Sequence, residues 1–136
     1  MNAEALLLSV VEKGASVVEI GIGERTDLAE TLADRGLEVT GVDIDVPTDA
    51  TTVQMIQDDI TAPRAAVYAT ADLLYARRLP AELQRPALAV ATQYAVPLYF
   101  TTLGSEWPIV AVEPITTVDG TWYRPVQDDT DLPTPE

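Results

Sequence analysis

The chain has no cysteine and no histidine, and only one lysine and one phenylalanine among its 136 residues. Without cysteine, disulfides and thiolate chemistry are excluded. Without histidine, the commonest general base and the commonest metal ligand are missing. A metal site would need oxygen ligands alone, and no spacing suggests one. Basic residues are scarce: 8 against 22 acids, for a net charge of −14. No basic patch is visible to contact phosphates, so free nucleic acid is not an expected partner. No apolar run approaches the ~20 residues of a membrane helix. Met1 to Lys13 carries Glu4 early and has no small-residue cleavage signal after an apolar run, so it does not read as a signal peptide. These absences lead us to expect a cytoplasmic protein with no membrane association.

What is present fits one folded domain. The length lies in the usual single-domain range, and a hydrophobic fraction of 47% is ordinary for a globular chain. The acids are spread along the whole sequence, and every basic residue except Lys13 is arginine. That composition is of the haloarchaeal type, suited to a very salty cytoplasm; the alternative reading is an acidic binding surface for a cationic partner. In molar salt the screening length is only about 3 Å, so such a charge steers partners weakly.

Apolar periodicity outlines the elements. Leu6, Leu7, Val10 and Val11 mark one helical face over Ala3 to Glu12, ended by Gly14. Ser16 to Ile20 is a β-branched run closed by Gly21 and reads as a buried strand. Helical spacing resumes at Leu28, Leu32 and Ala33, with Gly36 placed to cap the helix in the left-handed conformation. Strands follow at Glu38 to Val42, Val53 to Ile56 and Ala71 to Tyr75. Thr61 to Tyr68 carries no clear pattern. A helix runs from Pro80 toward Tyr94, with Pro86 expected to bend or split it. Val96 to Thr102 is a fifth strand. Ile109 to Val118 and Thr121 to Val126 flank Asp119-Gly120, a strong hairpin-turn signal. Residues 1–126 therefore form one domain, and the acidic, proline-rich 127–136 form a disordered tail. Strands alternating with helices imply a Rossmann-like, mostly parallel α/β sheet with flanking helices, closed by a C-terminal antiparallel hairpin.

The chemistry concentrates at three strand ends. Val17-Val18-Glu19-Ile20-Gly21-Ile22-Gly23-Glu24-Arg25 is entered by a strand and left by a helix. Gly21 and Gly23 permit a tight turn and close ligand approach. The helix N-terminus adds free N–H groups and partial positive charge. Asp43, at the end of the second strand and 20 residues past Gly23, can accept both hydroxyl hydrogens of a ribose. Asp58 and Asp59 follow the third strand, and Asp59 is the candidate for an adenine edge. All three elements stand at carboxyl ends of neighbouring strands, where open α/β sheets bind ligands.

On these residues the sequence resembles the Rossmann-like methyltransferases that use S-adenosylmethionine. The family's acid two residues before the first glycine corresponds to Glu19, its ribose-binding acid to Asp43, an acid after strand three to Asp59, and an acid opening strand four to Asp72. The closing hairpin matches that family's last two strands. Ala71-Asp72-Leu73-Leu74-Tyr75-Ala76-Arg77-Arg78-Leu79-Pro80-Ala81-Glu82-Leu83-Gln84 carries a closer similarity, to a family of small uncharacterised archaeal proteins of this type. The resemblance implies a reduced methyltransferase fold that holds S-adenosylmethionine, or a related adenosine ligand, through Glu19, Gly21, Gly23, Asp43 and Asp59. Asp72, Tyr75 and Arg78 would face an unknown acceptor. Arg25 stands where the family often has a third glycine, and there it narrows the pocket or pairs with the ligand's carboxylate. Thr26 stands where dinucleotide binders usually carry glycine. Thr26 and Glu19 together disfavour a dinucleotide-dependent oxidoreductase. The alternative function is a non-catalytic interaction module that kept the fold and lost the reaction. A homo-oligomer stays open.

Overall fold

The computed structural model describes residues 1–45 and 53–126. The tail expected over 127–136 lies outside the described residues. Seven strands form one sheet: β1 (Ser16–Ile20), β2 (Glu38–Asp43), β3 (Gln54–Gln57), β4 (Leu73–Ala76), β5 (Leu98–Phe100), β6 (Val112–Thr117) and β7 (Gly120–Pro125). Their order is β3-β2-β1-β4-β5-β7-β6. The first five pair in parallel, and β7 inserts antiparallel between β5 and β6.

The sheet is covered on both faces, so its central strands are apolar on both sides, as parallel sheets require. On one face Val17, Val39, Leu73 and Tyr75 pack with Leu7 of α1 (Ala3–Ser9) and with Leu28 and Leu32 of α2 (Asp27–Asp34). On the other face Val18, Ile20, Leu74 and Phe100 pack with Tyr68 of α3 (Ala65–Tyr68) and Val90 of α4 (Ala81–Gln93). The undecided stretch Thr61 to Tyr68 thus ends in α3, which seats the buried Tyr68.

Gly36 caps α2 as expected. It lies at φ +97, its N–H donates to Ala33 O, and Leu37 N donates to Leu32 O. This double bond pattern satisfies the last helical carbonyls. Two local expectations need correction. Pro86 does not split α4, which runs unbroken from Ala81 to Gln93. Its buried stripe of Ala87, Val90 and Ala91 is anchored on the sheet and offsets the one missing donor. The hairpin loop is Val118-Asp119, and Gly120 opens β7 at φ +127, paired with Thr117. The chain start closes on this hairpin: Ala3 N donates to Asp119 Oδ2 at 2.7 Å and Val118 N to Met1 O at 2.8 Å. Among the described residues no helix is long and apolar enough to cross a membrane.

Candidate cofactor and acceptor site

The parallel strands point their carboxyl ends to one edge, and the chain turns there after β1, β2 and β3. After β1 the backbone reverses at Gly21 (φ +68) and Gly23 (φ +58). A Cβ added at Gly21 would meet nothing within 4 Å, so the space beside the turn is open. Asp43, at the end of β2, closes on this turn: its Oδ2 accepts the Gly23 N–H at 2.8 Å, and its Oδ1 accepts the Asp45 N–H at 3.0 Å. A carboxylate offers about four acceptor positions, so capacity remains for hydroxyl donors.

The turn is shaped from below by a residue the sequence reading passed over. Gly41 of β2 lies under Ile22, and a Cβ there would come within 2.7 Å of Ile22 Cδ1 and 2.9 Å of its Cγ2. A glycine inside a strand marks such a close approach, so the signal was present in the sequence.

After β3 the two acids divide. Asp58 is buried: its Oδ1 accepts from Arg64 N and Nε, and its Oδ2 accepts from Tyr68 OH at 2.6 Å. Asp59 stays exposed, with Oδ1 accepting the Thr61 N–H at 2.9 Å and the Thr61 hydroxyl at 2.7 Å. These bonds hold its carboxyl below the ordinary range. The structure therefore places Gly21, Gly23, Asp43 and Asp59 along one ledge over β1, β2 and β3.

Glu19 and Tyr75 are not on that surface. They face each other across β1 and β4 in register, and Tyr75 OH donates to Glu19 Oε1 at 2.7 Å. Glu19 is only 2% exposed. Burial lifts its carboxyl from the usual 4.5 to about 7, against the pull of the Arg77 charge and the Tyr75 hydrogen bond. Tyr75 is pushed well above the ordinary phenol range by the same burial and by Glu19. Arg77 completes the cluster. Its Nε lies 3.5 Å from Glu19 Oε2, and its Nη2 donates to Asp27 Oδ1 and to Arg25 O, both at 2.9 Å. That Nε is buried without a hydrogen-bond partner. Arg77 thus ties β4 to the start of α2. The sequence places Arg77 and Arg78 together after strand four and favours Arg78 for its place in the family-like stretch; nothing local shows that a strand acid is buried and needs Arg77 as a countercharge. Tyr75 is corrected from an acceptor-facing residue to a support beneath the site.

Asp72 is brought nowhere near the ledge. It precedes β4 at the amino edge of the sheet, where its Oδ2 accepts the Ser16 N–H at 2.9 Å and its N–H donates to Ser16 O at 2.7 Å. It caps the start of β1, so its assignment to the acceptor side is corrected: a strand is long enough to separate its two ends completely.

Beside the ledge lies a cavity of about 710 Å³, framed by α1, the start of α2, the turns after β4 and β5, and the hairpin. Arg25, Arg77 and Arg78 all line it, as do both tryptophans, Trp107 and Trp122. Arg78 is exposed and sits at φ +58, where a side chain other than glycine is strained. Its N–H donates to Thr101 Oγ1 at 2.7 Å, while Leu79 N donates to Thr101 O at 2.8 Å. Those two bonds to the end of β5 hold the strained turn. Trp122, which lines the cavity, packs on Tyr75 with ring centroids 6.4 Å apart, so Glu19 and Tyr75 lie behind the cavity wall and Arg77 alone of their cluster reaches it. Among the described residues no group of three or more acids gathers as a metal site.

Residues 1–124 match the Uncharacterised protein family (UPF0146). A UPF0146 protein of Halobacterium salinarum is 43% identical over 118 residues, covering 87% of this chain and 92% of that relative. Among solved structures, a TehB-like SAM-dependent methyltransferase from Corynebacterium glutamicum aligns with TM-score 0.66 at 17% identity, over 91% of this chain and 86% of its own. A Burkholderia thailandensis 1,6-didemethyltoxoflavin-N1-methyltransferase, solved with bound 1,6-didemethyltoxoflavin and S-adenosylhomocysteine, aligns at TM-score 0.60 and 17% identity, over 93% of this chain and 60% of its own. A putative Zn-dependent alcohol dehydrogenase from Rhodobacter sphaeroides aligns at TM-score 0.58 and 20% identity, over 76% of this chain; the chain spans about half (47%) of that longer protein. At these identities the likeness is one of fold.

Proposed function

We propose that this chain, which belongs to the uncharacterised protein family UPF0146, binds S-adenosylmethionine or a related adenosine ligand on the ledge over β1, β2 and β3. The observation that carries the reading is the Asp43 carboxylate clasped to the Gly23 N–H, with open space beside Gly21. That arrangement suits a ribose: Asp43 accepts its hydroxyl hydrogens, and the two glycines let the ligand approach the backbone. Asp59 accepts from the adenine edge. Glu19 acts indirectly, by holding Arg77 and through it the start of α2.

The antiparallel β7 between β5 and β6 supports the methyltransferase form over a dinucleotide-dependent oxidoreductase, whose strand order is commonly the all-parallel 3-2-1-4-5-6. The finer proposal is methyl transfer to an acceptor in the adjoining cavity. When bound, S-adenosylmethionine would supply an already activated methyl group to a lone pair of the acceptor, with S-adenosylhomocysteine as the leaving group. What the protein must add is orientation, which accounts for much of the rate in such reactions. Arg78 and the rest of the cavity lining would position the acceptor.

A second reading has its own observation. Neither Asp72 nor Tyr75 reaches the cavity, so of the three residues expected to face an acceptor only Arg78 lines it. That favours a module that binds an adenosine ligand without turning it over, or an interaction module that binds none.

Calorimetric titration in molar potassium chloride, with S-adenosylmethionine and S-adenosylhomocysteine, tests the proposal. Micromolar binding is expected. Asp43→Asn keeps an acceptor for Gly23 and loses the charge, and should weaken binding at least about tenfold, the equivalent of one charge-assisted hydrogen bond. A folded protein that binds neither ligand would sink the reading and leave the interaction module.

A further inference from the structure

The cavity beside the ledge concentrates a scarce resource. The chain carries seven arginines and one lysine against 22 acids, yet three of those arginines line this one space. Arg77 is committed to Glu19 and Asp27. Arg25 and Arg78 form no ion pair among the described residues. The acids around them are mostly occupied: Glu4 pairs with Arg35 at 2.9 Å, Asp27 with Arg77, and Asp119 accepts from Ala3 N. Arg78 is also held in a left-handed backbone by Thr101, a strain that clusters at binding sites. At the rim stands Trp107, 73% exposed, supported only edge-on by Tyr123 at 6.0 Å. A large aromatic face left in water beside two free guanidinium groups suits a ligand with a charged end and a flat or apolar body.

The geometry points to a small organic oxyanion as the acceptor: a carboxylate or phosphate held by Arg78 and Arg25, on an unsaturated body that lies against Trp107. This deepens the methyl-transfer reading, on which its acceptor role rests. The anion site itself does not depend on that reading. The ledge residues Gly21, Gly23, Asp43 and Asp59 share no lining with the cavity. Anion and adenosine ligand therefore bind side by side. Among the described residues the lining acids Glu106 and Asp119 are in no ion pair; Asp119 accepts the Ala3 N–H, and the charge of Glu106 opposes the anion.

The chain's two tryptophans both line the cavity, so intrinsic fluorescence reports on it directly. The full chain in molar potassium chloride is titrated with benzoate, and with benzyl alcohol as the uncharged control. Benzoate should give a saturable change, and benzyl alcohol should bind at least about tenfold more weakly, as the loss of one charged contact requires. Arg78→Gly suits the positive φ and removes the guanidinium without strain. It and Arg25→Gln should each weaken benzoate several-fold, while Glu106→Gln should strengthen it. Asp43→Asn, and saturating S-adenosylhomocysteine, should leave benzoate binding unchanged.

The inference is overturned by no saturable response, by equal affinity for benzoate and benzyl alcohol, or by wild-type affinity in both arginine variants. Competition between benzoate and S-adenosylhomocysteine also overturns it, because the arginines would then read the cofactor's carboxylate. If benzoate binds as described and the adenosine ligands do not bind at all, the methyl-transfer reading fails and the anion site stands.

Discussion

At the scale of single residues, the least comfortable group in the molecule is Glu19. A carboxylate 2% exposed must be paired, and Arg77 approaches at 3.5 Å while Tyr75 donates at 2.7 Å. These contacts do not cancel the cost of burial, because the carboxyl titrates near 7 and not near 4.5. The sign of the consequence follows by linkage. The folded pKa is above the unfolded one, so the folded state binds the proton more tightly. Its stabilising contribution is complete below about pH 4.5 and is lost as pH rises through 7. The difference amounts to about 3 kcal/mol. Glu19→Gln resembles the protonated side chain, keeping an acceptor for Arg77 and offering an N–H toward Tyr75. In thermal or urea melts it should be more stable than wild type at pH 8, and the gap should close near pH 4. A variant that is less stable at pH 8 would mean that the ion pair with Arg77 outweighs the burial. None of this was visible in the string Val18-Glu19-Ile20. Glu19 was singled out for its place before the glycines, but its burial depends on Tyr75 and Arg77, which lie more than 50 residues away.

Elements were far more legible than contacts. The apolar runs of β1 and β2, the helical face of α2 and the cap at Gly36 all follow from spacing that any neighbouring structure would leave intact. The alternation of these elements gave the parallel sheet, and Asp119-Gly120 marked the hairpin within one residue. What failed depended on which end of a strand a residue occupies. Asp72 and Arg78 are six positions apart, yet β4 carries them to opposite edges of the sheet. The same dependence on neighbours hid Gly41. Its backbone is ordinary, but a Cβ added there would come within 2.7 Å of Ile22 Cδ1 of the glycine turn and 3.0 Å of Met55 Sδ. Met55 is flexible and can yield. Ile22 is branched, buried and fixed between two glycines, so it cannot move without moving the turn. Gly41→Ala should therefore destabilise the domain by about 1–3 kcal/mol, as overpacking does. It should also weaken the adenosine ligand, because Asp43 hydrogen-bonds the same turn. Urea melts and calorimetry on one sample check both. Lost stability with unchanged ligand affinity would separate Gly41 from the site.

Over the whole molecule, charge decides the working conditions. Of the seven arginines, Arg35, Arg64, Arg77 and Arg124 sit in ion pairs with acids among the described residues. Exposed pairs such as Arg124 with Glu113 contribute little each. They leave most of the 22 acids unopposed, and their mutual repulsion works against the compact state. At about 0.1 M salt that repulsion reaches roughly 10 Å, far enough to couple neighbouring carboxylates, whereas at about 1 M it is cut to about 3 Å. The melting temperature should accordingly rise between those concentrations of potassium chloride by at least about 4 °C, the shift that roughly 1 kcal/mol produces in a domain of this size. Sodium perchlorate at matched ionic strength separates the causes, since it screens equally but does not strengthen apolar burial as excluded salts do. A rise in both salts assigns the effect to the acids. A rise in potassium chloride alone would place it in the two apolar layers against the sheet. The same screening bears on the cavity. In dilute buffer the field of −14 charges opposes any anion approaching Arg25 and Arg78, and in molar salt that opposition is confined to near neighbours such as Glu106. An arginine pair can then select an oxyanion on a protein whose overall charge would repel it.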